Sequence, residues 1–303
     1  MKVAVIGIGS NSVRMLVAEV TGDRGVRIRR DRAGTRLFAG LDAQRNLSRE
    51  AMDKTVEAVR RMAEDARREG AAEVRLFATS ATRDAANAGA LAALLRAEAQ
   101  VELEICSGET EAELSFLGAT DGGRTGVIDI GGGSTELIVG QGLEVACALS
   151  CQMGAVRLFR MQPIGCAADV AQVRATAERI LREGLAAHPA FVRPDGWIGT
   201  GGTFTTLAAM VRGVHWTERT YMHGTRLSRE DVTGQALLLA DMPMEQRLNL
   251  PGLQPNRADI VVHGICILMA CMEHLDIPEI TVSEYGNLDG YLKRAYRLTG
   301  GLH

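Results

Sequence analysis

The chain has 303 residues, 46% apolar and 23% charged. This is ordinary globular usage that supplies a sizeable core and excludes wholesale disorder. Length alone suggests about two domains. With 34 basic against 37 acidic residues the net charge is −3, which argues against nucleic-acid binding driven by bulk charge.

The basic residues are nearly all arginine, with lysine only at Lys2, Lys54 and Lys293. That bias suits bidentate phosphate recognition and equally fits genome composition. Cys106, Cys147, Cys151, Cys166, Cys266 and Cys271 show no CxxC spacing. They read as small buried hydrophobes in a reducing compartment rather than a zinc or disulfide framework. Lys2–Ile6 runs straight into a strand pattern, and the most apolar stretch, Ile260–Met272, is too short to span a bilayer. The expectation is a cytoplasmic protein.

Short apolar runs alternate with helical periodicity, predicting an α/β fold. Lys2–Ile8 and Val13–Val20 read as strands around Gly9-Ser10-Asn11-Ser12, with a third strand over Arg24–Arg32. Ser48 caps a helix carrying Met52, Val56, Val59, Ala63 and Ala66, and Gly70 ends it. Next come a strand at Val74–Ala78, a helix over Ala85–Ala99, a strand at Val101–Cys106 and a helix from Glu109. The pattern then restarts: strand Gly126–Ile130, turn Gly131-Gly132-Gly133-Ser134, strand Thr135–Val139, strand Leu143–Ser150 and a helix near Ala168–Gly184. Trp197-Ile198 leads into Gly199-Thr200-Gly201-Gly202-Thr203 and another helix, and Ser228 with Asp231 forms a capping box. Strand, glycine turn, strand thus occurs twice. This predicts a duplicated fold with a cleft between halves, residues 1–120 and 121–303.

Glycine turns suit anions because their backbone N–H groups are unobstructed. Thr135-Glu136-Leu137 continues as strand, so the dinucleotide fingerprint fails, and no GxxxxGK[ST] occurs. GTGGTFTT (199–206) runs from strand into helix, where N-terminal amides offer an anion site. Asp129 and Glu136 flank the second turn, and carboxylates beside a phosphate cradle need a cation such as Mg²⁺. Thr79, Ser80 and Arg83 follow a buried strand, where α/β sites collect ligands. Glu109 and Glu111 at a helix start read, by themselves, as dipole partners. The cluster Arg24, Arg27, Arg29, Arg30, Arg32 and Arg36 reads either as a runway for a polyanion or as a charged strand edge. The histidines show no metal-ligand spacing and are expected to be structural.

GSNSVRML, ATSATRDA, SGETEAELSFLG, VIDIGGGSTELIVG, SCQMGAVRL and GTGGTFTTLAA, in this order, resemble the Ppx/GppA phosphatase family over about residues 2–295. The resemblance implies a duplicated actin-like ATPase (ribonuclease H-like) fold in its short two-domain form. It implies Mg²⁺-dependent hydrolysis of the terminal phosphoanhydride of polyphosphate or of guanosine pentaphosphate. Carried over, the general base falls on Glu111 and a phosphoryl-neutralising cation on Arg83, with Mg²⁺ held by Asp129 and Glu136. Phosphate contacts are expected at Gly9, Ser10, Asn11, Ser12, Thr79, Ser80, Gly131, Gly132, Gly133, Ser134, Thr135, Gly199, Thr200, Gly201, Gly202 and Thr203. The expected partners are polyphosphate or guanosine pentaphosphate and tetraphosphate, not nucleic acid or membrane; a homodimer is left open.

Two positions depart from the family pattern. Gly7 stands where the first hairpin usually has aspartate, and Leu288 where the C-terminal motif usually has arginine. They motivate a second reading, a weakly active or inactive polyphosphate- or alarmone-binding paralogue. They also suggest that Gly7→Asp raises turnover if a missing carboxylate limits the reaction. A kinase of the same fold fits less well, because it expects a longer chain and an acidic first hairpin.

Overall fold

The computed structural model describes all residues except Asp121, Pro189, Ala190, Gly300 and His303. The expected start of the second half at 121, and one of the histidines expected to be structural, fall outside the described residues. The chain divides into two compact units, Met1–Gly118 with Asn287–His303, and Ala119–Gly286.

The first unit holds a five-stranded sheet of β1 (Lys2–Ile8), β2 (Val13–Thr21), β3 (Arg24–Ala33), β4 (Glu73–Ala78) and β5 (Leu103–Ile105), ordered β3-β2-β1-β4-β5. The first three strands form an antiparallel meander, and β4 and β5 add in parallel, which requires crossover segments. The first crossover is α1 (Arg49–Arg68). Ser48 caps it by accepting a hydrogen bond from the Ala51 N–H, and Gly70 lies just past its end at φ +86°. Its buried stripe is Met52, Val56, Val59, Met62, Ala63 and Ala66, the spacing read from the sequence.

The second crossover carries the helix expected over 85–99, which starts three residues late and follows a short helical turn. It comprises α2 (Ser80–Arg83), α3 (Ala88–Leu94) and a π turn over Leu95–Ala99 that continues α3. Asn87 accounts for the late start. Its carboxamide accepts from the Leu47 N–H at 2.8 Å and donates to the Leu47 carbonyl at 3.0 Å. A side chain that mimics a strand partner competes with helix continuation. After β5 comes α4 (Gly108–Ala119).

The second unit repeats the plan with β6 (Arg124–Ile130), β7 (Thr135–Gln141), β8 (Glu144–Cys151), β9 (Gly196–Thr200), β10 (Arg226–Ser228) and β11 (Glu279–Val282), ordered β10-β11-β9-β6-β7-β8. Apart from the added edge strand β10, this is the same antiparallel meander followed by two parallel additions. The repeated order is the duplicated topology expected from the sequence. Its helices are α5 (Ala155–Met161), α6 (Ala167–Ala186), α7 (Gly202–Arg212), α8 (Arg229–Asp241), α9 (Met244–Arg247) and α10 (Val261–His274). Ser228 and Asp231 form the expected capping box on α8. The core gathers Val173, Ala177 and Leu181 of α6 with Phe204, Leu207, Ile265, Leu268 and Cys271. His263 on α10 is buried, with Nε2 on the Gln162 carbonyl at 2.9 Å and its ring edge-on to Phe159; burial lowers its pKa.

The chain ends in α11 (Asn287–Tyr296), which belongs to the first unit and not, as the sequence halves suggest, to the second. The reason is apolar burial. Leu288, Tyr291 and Leu292 join Val3, Val5, Leu16, Ala18 and Phe77 in one cluster, with Tyr291 stacked on Phe77 at 4.8 Å. Gly290 lets α11 approach α4, since a Cβ there would lie 1.8 Å from the Leu114 carbonyl oxygen.

The arginines of β3 largely serve this unit. Arg27 and Arg30 both bond Asp289 at 2.8 Å, and Arg29 pairs with Glu69 and Asp65. This favours the structural account of the basic cluster over the runway. Cys106, Cys151, Cys266 and Cys271 are buried, and burial pushes the first three thiols up to about 12; Cys166 is exposed. Among the described residues no helix is long and apolar enough to cross a membrane.

Candidate active site

In the first unit the turn Gly9–Ser12 joins β1 to β2 and closes with Gly9 N–H on the Ser12 carbonyl at 3.0 Å. Ser10, Asn11 and Ser12 are all buried. The end of β4 is tied to this turn twice. Thr79 N–H donates to the Ile8 carbonyl at 3.1 Å, and the Ser10 and Ser80 hydroxyls lie 2.8 Å apart. One helical turn later, Arg83 Nη1 donates to the Cys106 carbonyl and to Glu111 Oε2, both at 3.0 Å. Glu111 sits in the first turn of α4, which Ser107 starts by accepting the Thr110 N–H at 3.1 Å. The side chains of Arg83 and Glu111 are only 20% and 7% exposed, so the pair is weakly screened and directionally fixed. Arg83 Nη2 is buried without a partner. Glu109 is exposed. Of the two acids at this helix start, Glu111 is the one buried and held by an ion pair.

In the second unit the turn Gly131–Ser134 closes with the same bond at the same place, Gly131 N–H on the Ser134 carbonyl at 3.0 Å. The carbonyls of Gly131 and Gly132 accept from the N–H groups of Ala155, Val156 and Arg157 at the start of α5, and Arg157 Nε donates to the Gly133 carbonyl at 2.6 Å. With its carbonyls turned to α5, the turn is braced from one side. Sequence reasoning gave Gly154 and Arg157 no role, although they lie in the quoted run SCQMGAVRL. A Cβ on Gly154 would stand 2.4 Å from the Gly132 carbonyl. We therefore expect Gly154→Ala to displace the turn and cost about 1–3 kcal/mol, as overpacking does, with a lower melting temperature and a higher KM. An unchanged melt would show the turn to be freely adaptable.

Asp129 and Glu136 stand directly opposite each other on β6 and β7, and Asp129 is also paired with Thr200 on β9. Both carboxylates are buried, and Glu136 Oε1 accepts from the Ser150 hydroxyl at 2.8 Å. Like charges directly opposed on a sheet are destabilising. This oxygen donor set fits a hard cation such as Mg²⁺, which holds few protein ligands and keeps water or phosphate in its other positions. Among the described residues no group of three or more His, Cys, Asp or Glu is placed to bind a metal.

β9 runs through Gly201 at φ +94° into α7, whose first amides form a helix N-terminus. A Cβ on Gly201 would lie 2.6 Å from Asp129 Oδ1, so glycine allows the carboxylate to lie against this loop. A Cβ on Gly202 would fall 1.8 Å from the Arg257 guanidinium. Arg257, one arginine among many and in no motif noted in the sequence, is thus a cation beside the loop. Gly199 makes room for Phe204, 2.2 Å from its missing Cβ.

Several predicted hydroxyls have other employment. Thr135 Oγ1 donates to the Met153 carbonyl and Thr200 Oγ1 to the Tyr285 carbonyl, both at 2.6 Å, and Thr203 packs where Gly264 of α10 lacks a Cβ. The Ser134 hydroxyl, by contrast, is buried without a partner.

The model of the Ppx/GppA phosphatase family matches residues 16–297. The chain is 34% identical to exopolyphosphatase 2 of Mycobacterium tuberculosis, over 95% of this chain and 97% of that protein. It is 30% identical to exopolyphosphatase 1 of Mycobacterium bovis, over 97% and 88%. Among solved structures, an exopolyphosphatase from Cytophaga hutchinsonii superposes with a TM-score of 0.87 at 26% identity, covering 98% of each chain. The Ppx/GppA family member from Aquifex aeolicus superposes with a TM-score of 0.81 at 25% identity, covering 97% of each.

Proposed function

The chain belongs to the Ppx/GppA phosphatase family, and from that premise we propose that this phosphoanhydride hydrolase removes orthophosphate from the end of inorganic polyphosphate. The observation that carries the reading is the 3.0 Å ion pair of Glu111 with Arg83, which fixes a buried carboxylate in one orientation. In the proposed reaction a water oxygen bonds to the terminal phosphorus while Glu111 accepts the water proton. The bridging P–O bond breaks, and the shortened chain leaves with the bond's electron pair on its terminal oxygen. Arg83 keeps the Glu111 carboxylate in one orientation. In the first unit the backbone N–H groups of Gly9–Ser12 bind phosphoryl oxygens; in the second unit, taken by itself, those of Gly131–Ser134 and of the α7 start suit the same role. In the second unit Asp129, with Glu136 beside it, is the residue that would hold Mg²⁺, which when bound would neutralise charge on phosphoryl oxygens. Positioning and charge stabilisation are the main requirements of phosphoryl transfer.

Losing one preorganised donor of this kind costs about 10²–10³ in kcat. Arg83→Gln, which cannot hold the carboxylate by charge, is expected to fall by that order with a smaller change in KM. A change confined to KM would mean that Arg83 acts only on bound substrate.

Phosphate release measured side by side on long polyphosphate, tripolyphosphate and guanosine pentaphosphate tests the substrate assignment. Faster release from guanosine pentaphosphate would replace polyphosphate as the substrate. The binding-paralogue reading is favoured by Gly7 and Leu288, which lie against each other in an apolar cluster. It predicts polyphosphate or alarmone binding with little or no phosphate release.

A further inference from the structure

A turn that the reading above leaves unused lies against the first hairpin. Arg36 N–H donates to the Asn11 carbonyl at 3.1 Å and Phe38 N–H to the Ser10 carbonyl at 2.9 Å. Arg36 is held in the left-handed region at φ 53°, ψ 39°, where a non-glycine residue is strained. These bonds fix Thr35 beside Asn11.

Both residues are only 6% exposed, and neither the Thr35 hydroxyl nor either polar atom of the Asn11 carboxamide has a hydrogen-bond partner. Unmatched buried polar atoms are costly, and native chains rarely keep them without a function. Here three occur on two adjoining segments, while Ser10 in the same hairpin is matched by Ser80. The carboxamide offers two N–H donors and the hydroxyl one more. The charged side chain next to them in sequence is the Arg36 guanidinium. Two of the three unmatched atoms, Asn11 Nδ2 and Thr35 Oγ1, can donate, and an anionic oxygen can accept from both.

We propose that Thr35 and Asn11 form a subsite for one phosphoryl oxygen of the substrate, which makes Thr35 a binding residue outside the glycine turns. The proposal rests on the phosphate-binding reading of the Gly9–Ser12 hairpin and adds a ligand contact to it.

Thr35→Val replaces the hydroxyl by a methyl of the same shape, and Thr35→Ser keeps the hydroxyl. Thermal melts with and without tripolyphosphate, together with KM and kcat for phosphate release from polyphosphate, separate the outcomes. The valine variant is expected to melt higher than wild type without ligand, to lose most of the tripolyphosphate-induced rise, and to show a KM raised about tenfold with kcat within about twofold, the scale of one hydrogen bond to a charged group. The serine variant is expected to retain the ligand-induced rise and the wild-type KM.

An unchanged tripolyphosphate shift and KM in Thr35→Val would overturn the proposal, because an internal water would then be the missing partner. If valine folds poorly, loss of the ligand response in Thr35→Ser despite its hydroxyl would overturn it as well. Wild-type phosphate release with a Thr35→Val shift equal to that of wild type would sink the subsite and leave the hydrolase reading intact. No release from wild type, with a tripolyphosphate shift that valine abolishes, would sink the hydrolase reading and leave the subsite.

Discussion

Glu111→Gln is expected to lower phosphate release from polyphosphate by about 10²–10⁴, the usual contribution of a general base, while the protein still folds. Glutamine keeps an oxygen that can accept from Arg83 Nη1, now 3.0 Å from the Glu111 carboxylate, so the geometry persists without the charge. The Arg83 guanidinium is then left partly buried without its counterion. Because it retains some solvent contact, the stability loss should be about 1–2 kcal/mol rather than the larger cost of a fully buried orphan charge. A melt and an initial-rate assay on the same preparation separate the two effects. Glu109→Gln serves as the control, because Glu109 is exposed two residues away and its loss should leave the rate unchanged. Equal rates for Glu111→Gln and wild type would remove Glu111 from the chemistry.

Gly7→Asp, which sequence reasoning suggests as a gain of function, is expected instead to be destabilising. A Cβ at position 7 would stand 2.9 Å from Phe77 Cζ and 3.3 Å from Leu288 Cδ2. Phe77 is itself locked against Tyr291, so the ring has little room to yield. The added carboxylate would be crowded by these side chains while facing Arg14, its cross-strand partner on β2, so the cost is that of overpacking, about 1–3 kcal/mol. At about 2–4 °C per kcal/mol for a chain of this size or somewhat smaller, the melting temperature should drop by roughly 5 °C. Leu288 would be the nearest neighbour on α11 to answer the new charge. Gly7→Asp with Leu288→Arg should therefore recover more than half of the loss, since a guanidinium at 288 can meet the carboxylate. A Gly7→Asp protein with wild-type stability and faster Mg²⁺-dependent release would show that the apolar contact is dispensable and that the missing acid limits the reaction.

Local patterns carried much of this molecule. The hairpins around Gly9–Ser12 and Gly131–Ser134 were legible because alternating apolar residues flank glycine and serine. The capped starts at Ser48 and Ser228 were legible because a cap is a local hydrogen bond. The repeated strand order follows from the repeated hairpins.

What stayed hidden depends on distant partners. Asn87 delays a helix start because it meets Leu47, forty residues away. The return of α11 to the first unit is set by Phe77 and Leu16 needing cover. The bracing of the second turn by Gly154 and Arg157, the cation at Arg257 and the internal bonds of Thr135 and Thr200 involve pairings that no spacing rule reports. Glu109 and Glu111 look alike in the sequence, and burial tells them apart.

The most direct measurement is the product spectrum of the wild-type protein acting on long-chain polyphosphate with Mg²⁺. Orthophosphate should appear from the first time point while the remaining chains shorten from their ends, and chelation of the metal should stop it. Mid-chain fragments without orthophosphate, or intact polymer after prolonged incubation with a folded protein, would contradict the account.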